Sequence, residues 1–161
     1  MDFKRTWILT MNKIKIFGCR HSGTKYLTKL LTLNWNVKSC LVKEFGHKHV
    51  GPNKLPNDVP IILIHKHPFS YVYSAKSRAW RKKTFCNKLT KEYVKLHLTC
   101  LPFVNKQGVD IKYEDLLLDF KETMKKIEKT LGLKPKLKNK YINIQNYCGN
   151  PNKHVNRKFY K

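Results

Sequence analysis

The chain has 161 residues, enough for one domain with a buried core, and 41% of them are apolar and 12% aromatic. These shares exclude a disordered or fibrous chain. Lys and Arg outnumber Asp and Glu by 34 to 10, a formal charge of +24, so we expect an anionic partner. Nucleotides, acidic substrates, nucleic acid and anionic membrane surfaces all fit, and a solvated basic surface explains many individual lysines.

No segment is long and apolar enough to cross a bilayer, and the N-terminus lacks the apolar core of a signal peptide. We therefore expect a cytoplasmic protein without a membrane anchor. The five cysteines are odd in number and lack a CxxC pair, which favours free thiols over a disulfide framework or a zinc site. Nothing in the sequence indicates the oligomeric state.

A strand, a polar loop and a helix are predicted near the start of the chain. An apolar alternation predicts a strand over about 13–17, and helical periodicity begins at about 23 and continues to 33. The N–H groups of a first helical turn point toward the preceding loop, here residues 18–25, called the glycine loop below. Such a loop is typical of a phosphate-like anion site, although an ordinary turn fits the same residues equally well.

The composition of the glycine loop supports anion binding. Gly23 can adopt positive φ and lets the backbone approach a ligand closely. Two hydroxyls and two cations could assist it, and they belong to Ser22, Thr24, Arg20 and Lys25. The loop is not a Walker A motif, because Gly23 is followed by Thr and Lys in the reverse order. A plain nucleoside-triphosphate hydrolase is therefore disfavoured.

The rest of the chain continues as alternating strands and helices. The predicted elements are a lead-in over 1–12 with Trp7-Ile8-Leu9 against the sheet edge, a weak strand within 37–45, a loop over 46–60, a buried strand over 61–64, a helix from Pro68, a helix over about 89–104, a strand over 109–113, and a helix over 116–131 capped by Asp115 and closed by Gly132. This order predicts an α/β fold with a parallel sheet, whose ligands bind at the carboxyl ends of the strands. The last 28 residues are expected to be a tail wrapped on the core or partly mobile.

Three segments at those strand ends resemble, in order, motifs of the P-loop sulfotransferases, which use 3′-phosphoadenosine 5′-phosphosulfate (PAPS). They are Arg-His-Ser-Gly-Thr-Lys-Tyr-Leu at 20–27, Ile-His-Lys-His-Pro at 64–68 with Ser74 eight residues after Lys66, and Ile-Lys-Tyr-Glu-Asp-Leu at 111–116 followed by Leu131-Gly132-Leu133. The resemblance spans about 13–133 and implies a single three-layer P-loop-type α/β domain with a tail over 134–161. It also implies transfer of a sulfuryl group from PAPS, without a metal, to a hydroxyl or amine of a small-molecule or saccharide acceptor.

The resemblance assigns roles to individual residues. The 5′-phosphosulfate would lie on Arg20, His21, Ser22, Gly23, Thr24 and Lys25; the 3′-phosphate on Lys66 and Ser74; and the adenine near Tyr113. Arg157, in the tail, is assigned as a further contact to the 3′-phosphate. His49 aligns with the family's base, Lys48 beside it could contact the sulfate, and His21 stands where the family has a cation at the bridging oxygen. Lys66 replaces the family's Arg, so a bidentate fork becomes a point charge.

Two alternatives remain open from the sequence. A divergent nucleotide or small-molecule kinase would need a magnesium-binding carboxylate at a strand end, for which only Asp110 and Asp115 are candidates. A basic nucleic-acid-binding protein would explain the charge and the aromatic residues scattered among lysines: Trp80, Tyr93, Tyr141, Tyr147 and Tyr160. It would not explain why the anion-site segments follow the order of the sulfotransferase family.

Overall fold

The computed structural model describes residues 13–41, 43–77, 83, 85–138 and 140–144. Within these ranges the strands are β1 (Lys13–Phe17), β2 (Lys38–Ser39), β3 (Ile61–His65) and β4 (Gly108–Lys112). The helices are α1 (Thr24–Asn34), α2 (Pro68–Lys76), α3 (Cys86–Gln107), α4 (Asp115–Leu118) and α5 (Phe120–Leu131). The predicted lead-in over 1–12 lies outside the described residues.

The strands form one sheet in the order β2-β1-β3-β4, and every described pairing is parallel. The register places Phe17 opposite Leu63 and His65 opposite Lys112. The predicted parallel α/β fold is therefore confirmed. Because β1, β3 and β4 are neighbours, the segments that follow them emerge side by side at one edge of the sheet.

Helices cover both faces of the sheet, which gives the three layers. Alternate strand residues point to opposite faces, as the pleat requires. One face packs against α1, α4 and α5, and its buried residues include Ile14, Ile16, Leu27, Leu30, Ile62, Ile64, Leu116, Met124 and Ile127. The other packs against α2 and α3, and its buried residues include Phe17, Ile61, Leu63, Tyr71, Ala75, Leu89, Leu96, Cys100 and Val104.

The weak strand predicted within 37–45 is reduced to two residues. The side chain of Lys15 is buried, and its Nζ donates hydrogen bonds to the carbonyl oxygens of Leu41 and Glu44. These bonds draw the chain into a turn, and Phe45 adopts a φ of 58°. A tertiary contact thus ends β2 after Ser39, and local periodicity does not reveal it.

The helix predicted over 116–131 is two helices, with a break at Asp119. This residue has a φ of −135° and a ψ of 57°, outside the helical region. Leu116 and Met124 are both buried on the same face across the break, so the apolar pattern continues and conceals it. Glu114, and not the predicted Asp115, is the residue preceding α4. Gly132 closes α5 with a φ of 63°, as predicted.

The described part of the tail packs on α1. Tyr26 Oη donates to Asn143 Oδ1 at 2.8 Å, and Asn34 exchanges two hydrogen bonds with the backbone of Ile142. The ring of Tyr141 lies 5.9 Å from that of Trp35. The described tail residues thus lie over α1, with Tyr141 and Ile144 partly buried against the core. None of the helices in the described ranges combines the length and the apolar composition that a bilayer crossing requires.

Candidate functional site

The glycine loop is compact and buried at its base. A Cβ on Gly18 would lie 2.5 Å from the carbonyl oxygen of Ile64 and 2.5 Å from Ser22 Oγ, so the loop backbone packs directly on β3. His21 and Gly23 both have positive φ, 68° and 91°. Ser22 is fully buried, and its hydroxyl donates to the Cys19 carbonyl at 2.7 Å. Its proton therefore stabilises the loop itself.

The glycine loop leads directly into α1. Gly23 is the N-cap, without a side-chain capping bond, and the first helical hydrogen bond runs from Leu27 N to Gly23 O at 2.9 Å. The preceding N–H groups carry the partial positive charge of the helix N-terminus. Thr24 is buried at this point, whereas Arg20 and Lys25 are exposed on the loop. The arrangement can accept an anion at the backbone with two cations beside it.

The segment after β3, residues 65–74, is called the lysine segment here and supplies a buried cation. Only 8% of Lys66 is exposed, and its Nζ donates to Ser74 Oγ at 3.3 Å. The same Nζ lies 4.5 Å from the centre of the Tyr113 ring, within the range of a cation–π interaction. The ammonium group is therefore oriented by two side chains.

Tyr113 joins the lysine segment to the glycine loop. A Cβ on Gly23 would lie 2.4 Å from Cδ2 of Tyr113, so the ring rests against the backbone of this glycine. The ring thus contacts both Gly23 and the Lys66 ammonium. The structure places Gly23, Tyr113, Lys66 and Ser74 in one continuous group of contacts, called the edge site below.

Glu114 orients the start of α2. Its Oε1 accepts a hydrogen bond from the backbone N–H of His67 at 3.1 Å, just before Pro68 opens the helix. Glu114 therefore has a structural role at the start of this helix. The start of α2 is a second helix N-terminus at the same sheet edge, and it has no side-chain cap.

The turn over residues 47–50 packs against the glycine loop. Gly18 N donates to the Lys48 carbonyl at 2.9 Å, and His49 Nδ1 lies 2.5 Å from the Gly18 carbonyl oxygen. A carbonyl can only accept, so His49 Nδ1 carries the proton and donates it. In the neutral ring, Nε2 of His49 is then the unprotonated nitrogen.

Burial and positive charge keep His49 neutral. The pKa of His49 is lowered to about 4, chiefly by burial; the hydrogen bond to Gly18 acts to raise it, and the charges of Lys48, His47 and Arg20 act to lower it. Burial also lowers the pKa of Lys48, and the nearby charge of Lys25 adds to this. The cations of the glycine loop and of the 47–50 turn are thus close enough to repel one another. Such a concentration of positive charge favours an anion.

A cavity of about 510 Å³ opens beside this turn. It lies between the glycine loop and α3, and its lining includes Cys19, Arg20, His47, His49, Val50, Tyr71, Glu92, Lys95 and Leu96. It brings an imidazole, an arginine and a carboxylate to one space large enough for a small molecule.

No family model matches the chain, and a search of curated proteins finds no match. The resemblance to the P-loop sulfotransferases therefore rests on the three sequence segments alone.

The fold brings most of the predicted site residues to one edge of the sheet. The edge site consists of Gly23, Lys66, Ser74 and Tyr113. The glycine loop itself carries Arg20 and Lys25, and the turn packed against it carries Lys48 and His49. His21 lies in this loop, half-buried. Arg157 lies outside the described residues, so its assignment to the 3′-phosphate stays a prediction.

A cluster that the sequence analysis missed lies under the α3 face of the same edge. His65 Nε2 is 3.1 Å from Asp110 Oδ1, and the rings of His65 and His97 meet edge to face with centres 4.7 Å apart. Burial lowers the pKa of His97. Burial alone would raise the pKa of Asp110, but the adjacent His65 imidazole, together with His97 and Lys126, outweighs burial and the pKa is lowered. The sequence signal for this cluster was the strand alternation, which places His65 of β3 and Asp110 of β4 on the same face of the sheet.

Proposed function

We propose that the protein binds PAPS across the edge site and transfers its sulfuryl group to a hydroxyl or amine acceptor. The observation that carries this proposal is the position of Lys66, whose ammonium lies on Tyr113 and donates to Ser74. Tyr113 in turn rests on Gly23. One nucleotide could therefore place its 5′-phosphosulfate on the glycine loop and its 3′-phosphate on the lysine segment.

The electrostatics support a ligand with several negative charges. Two helix N-termini without side-chain caps, those of α1 and α2, start at this edge. Arg20, Lys25 and Lys48 add charge around the glycine loop. Lys66 is buried, and a buried cation interacts with a phosphate more strongly than an exposed one because water screens it less. No metal is required for such binding.

The proposed reaction is an in-line displacement at sulfur. The acceptor oxygen or nitrogen forms a new bond to sulfur while the bond from sulfur to the bridging oxygen of PAPS breaks. The electron pair of that bond remains on the 5′-phosphate of the product, 3′-phosphoadenosine 5′-phosphate (PAP). Arg20 and the N-terminus of α1 stabilise the charge that develops there.

His49 is the proposed base for the acceptor. Its Nδ1 donates to Gly18 O, so Nε2 is the nitrogen that can take the acceptor's proton. His49 also lines the cavity of about 510 Å³, which is the proposed acceptor site. Bound anionic PAPS would offset the positive charges that lower the pKa of His49, and would make the imidazole a stronger base in the complex.

The kinase alternative receives less support from the carboxylates. Asp110 Oδ1 faces His65, and Glu114 Oε1 accepts from His67 N. Asp115 is exposed in the first turn of α4. Of these three acidic residues, Asp110 lies within β4 and the other two follow it closely, and none is directed at the glycine loop by a contact described above.

Thermal denaturation with added nucleotides tests binding. PAP is expected to raise the melting temperature of the protein, and more than ATP with magnesium does. Lys66→Met should abolish most of the shift, whereas Lys76→Met, a matched control on the exposed end of α2, should keep it. A shift with ATP and magnesium but none with PAP would support a kinase. Salt-sensitive oligonucleotide binding without a PAP response would support nucleic-acid binding.

Transfer of radiolabelled sulfate from PAPS tests catalysis separately. Saccharide, phenolic and tyrosyl acceptors are the panel, with His49→Gln as the variant expected to lose activity while keeping the PAP shift. A PAP shift without transfer to any acceptor would reduce the proposal to nucleotide binding.

A further inference from the structure

A cluster of two histidines and one aspartate lies on the α3 side of the sheet, apart from the edge site. One nitrogen of His65, one nitrogen of His97 and one carboxylate oxygen of Asp110 lie within 4.8 Å of one another. They come from β3, α3 and β4 respectively. Imidazole nitrogen and carboxylate oxygen are the donors that zinc and related divalent ions take in proteins.

Tyr93 fixes which nitrogen of each ring carries a proton. Its hydroxyl donates to the Lys66 carbonyl at 2.8 Å, which uses its one proton. His65 Nδ1 lies 3.2 Å from the Tyr93 hydroxyl oxygen. Because that hydroxyl has no proton left to give, His65 Nδ1 must donate to it. His97 Nδ1 lies 3.3 Å from the Tyr93 carbonyl, which can only accept, so this nitrogen donates as well.

This accounting leaves Nε2 of both rings as the nitrogens with lone pairs. His65 Nε2 faces Asp110 Oδ1 at 3.1 Å, and two acceptors so placed need either a second proton on the imidazole or a cation. Metal-bound histidines commonly donate their other N–H to an oxygen of the surrounding protein, which orients the ring. Tyr93 supplies such an oxygen to each ring, its hydroxyl to His65 and its backbone carbonyl to His97.

We propose that His65, His97 and Asp110 bind a divalent transition-metal ion of the zinc type. The ligands would be Nε2 of each histidine and the Asp110 carboxylate, with a fourth position open to water. Ligand atoms around a tetrahedral zinc ion are separated by about 3.3 Å, so the cluster must contract by about 1.5 Å at most. The ion would tie β3, β4 and α3 together immediately before Lys66.

Cobalt titration of the full chain, first dialysed against a chelator, tests the site. We expect one equivalent of Co²⁺ to produce the visible absorption of four-coordinate cobalt, and zinc to displace it. His97→Gln and Asp110→Asn should each abolish the absorption. His67→Gln, an exposed histidine outside the cluster, is the matched control and should retain it.

Thermal denaturation gives a second, independent measurement. Zinc at about a hundred times its dissociation constant should raise the melting temperature of the wild type by about 5–10 °C and leave His97→Gln unchanged. Far-UV circular dichroism verifies that each variant is folded, and His97→Gln decides the question if Asp110→Asn does not fold. A wild type without stoichiometric cobalt absorption, or a folded His97→Gln that binds cobalt like the wild type, would overturn the proposal.

Discussion

The two segments that meet at the edge site are built in opposite ways. The glycine loop would bind a ligand mainly through its backbone. Gly23 has a φ of 91°, and two exposed cations, Arg20 and Lys25, lie on either side of it in the chain. The lysine segment offers one buried side chain, Lys66, oriented by Ser74 and Tyr113. The first should therefore depend on backbone conformation and tolerate the loss of single charges. The second should depend on one charge and tolerate small changes in shape.

Gly23→Ala should have the largest effect, because it combines left-handed strain with a clash. The new Cβ would lie 2.4 Å from the Tyr113 ring, and we expect a loss of roughly 2–4 kcal/mol in the free energy of unfolding. Gly132→Ala is the control, since this exposed glycine also has a positive φ, 63°, and should lose only about 1 kcal/mol. Urea denaturation measures both, and equal losses would contradict the close packing of Gly23 on Tyr113.

Lys66→Met should separate binding from folding. Methionine keeps most of the length of the side chain and removes the charge, so we expect a change of about 1 kcal/mol or less in the free energy of unfolding. Affinity for PAP should fall by about 10–100-fold, the value of a charge-assisted hydrogen bond. Calorimetric titration measures the affinity. A folded Lys66→Met that binds PAP like the wild type would refute the assigned role of this lysine.

Ser74→Ala should have a smaller effect on the same ligand. The hydroxyl accepts from Lys66 and would donate one hydrogen bond from an uncharged group to the 3′-phosphate, worth about 1.5 kcal/mol or about tenfold in affinity, the lower end of the range for Lys66. Ser77→Ala, on an exposed serine that donates to the Ser74 carbonyl, is the matched control and should leave the affinity unchanged. If both variants weaken PAP binding equally, the effect reflects the end of α2 and not contact with the ligand.

His49 should make the protein less stable in acid. Its pKa is about 4 in the folded chain and about 6.5 when unfolded, so between these values the unfolded state binds more protons. Stability is then fully present above about pH 6.5 and is lost as the pH falls toward 4. His49→Gln should show a shallower fall in melting temperature over this window than the wild type does. His97 and other groups contribute equally to both proteins and do not affect the comparison. Parallel curves would contradict the buried, neutral imidazole.

Sequence reasoning reached the parts of the fold that local pattern determines. The alternation at Ile14 and Ile16 and the apolar run at 61–64 predicted β1 and β3 because strand periodicity is local. It missed the early end of β2, which Lys15 causes from the neighbouring strand β1, and the break at Asp119, which the apolar pattern spans.

The two candidate sites also differ in how far local sequence pattern predicts them. The edge site was predicted from three segments, each with its own composition, once a parallel sheet was expected to bring their ends together. The cluster of His65, His97 and Asp110 was not, because its members are single residues from three elements that meet only when α3 packs on the sheet. His65 was visible as a polar residue ending a buried strand, but its partners are far along the chain.

Calorimetric titration with two nucleotides tests the central claim most directly. PAP and adenosine 5′-phosphate share the 5′-phosphate that the glycine loop would bind, and only PAP carries the 3′-phosphate assigned to Lys66. We predict that the wild type binds PAP at least about tenfold more tightly than adenosine 5′-phosphate, and that Lys66→Met binds the two alike. Equal affinities in the wild type, or an undiminished preference for PAP in Lys66→Met, would contradict one nucleotide spanning the two segments.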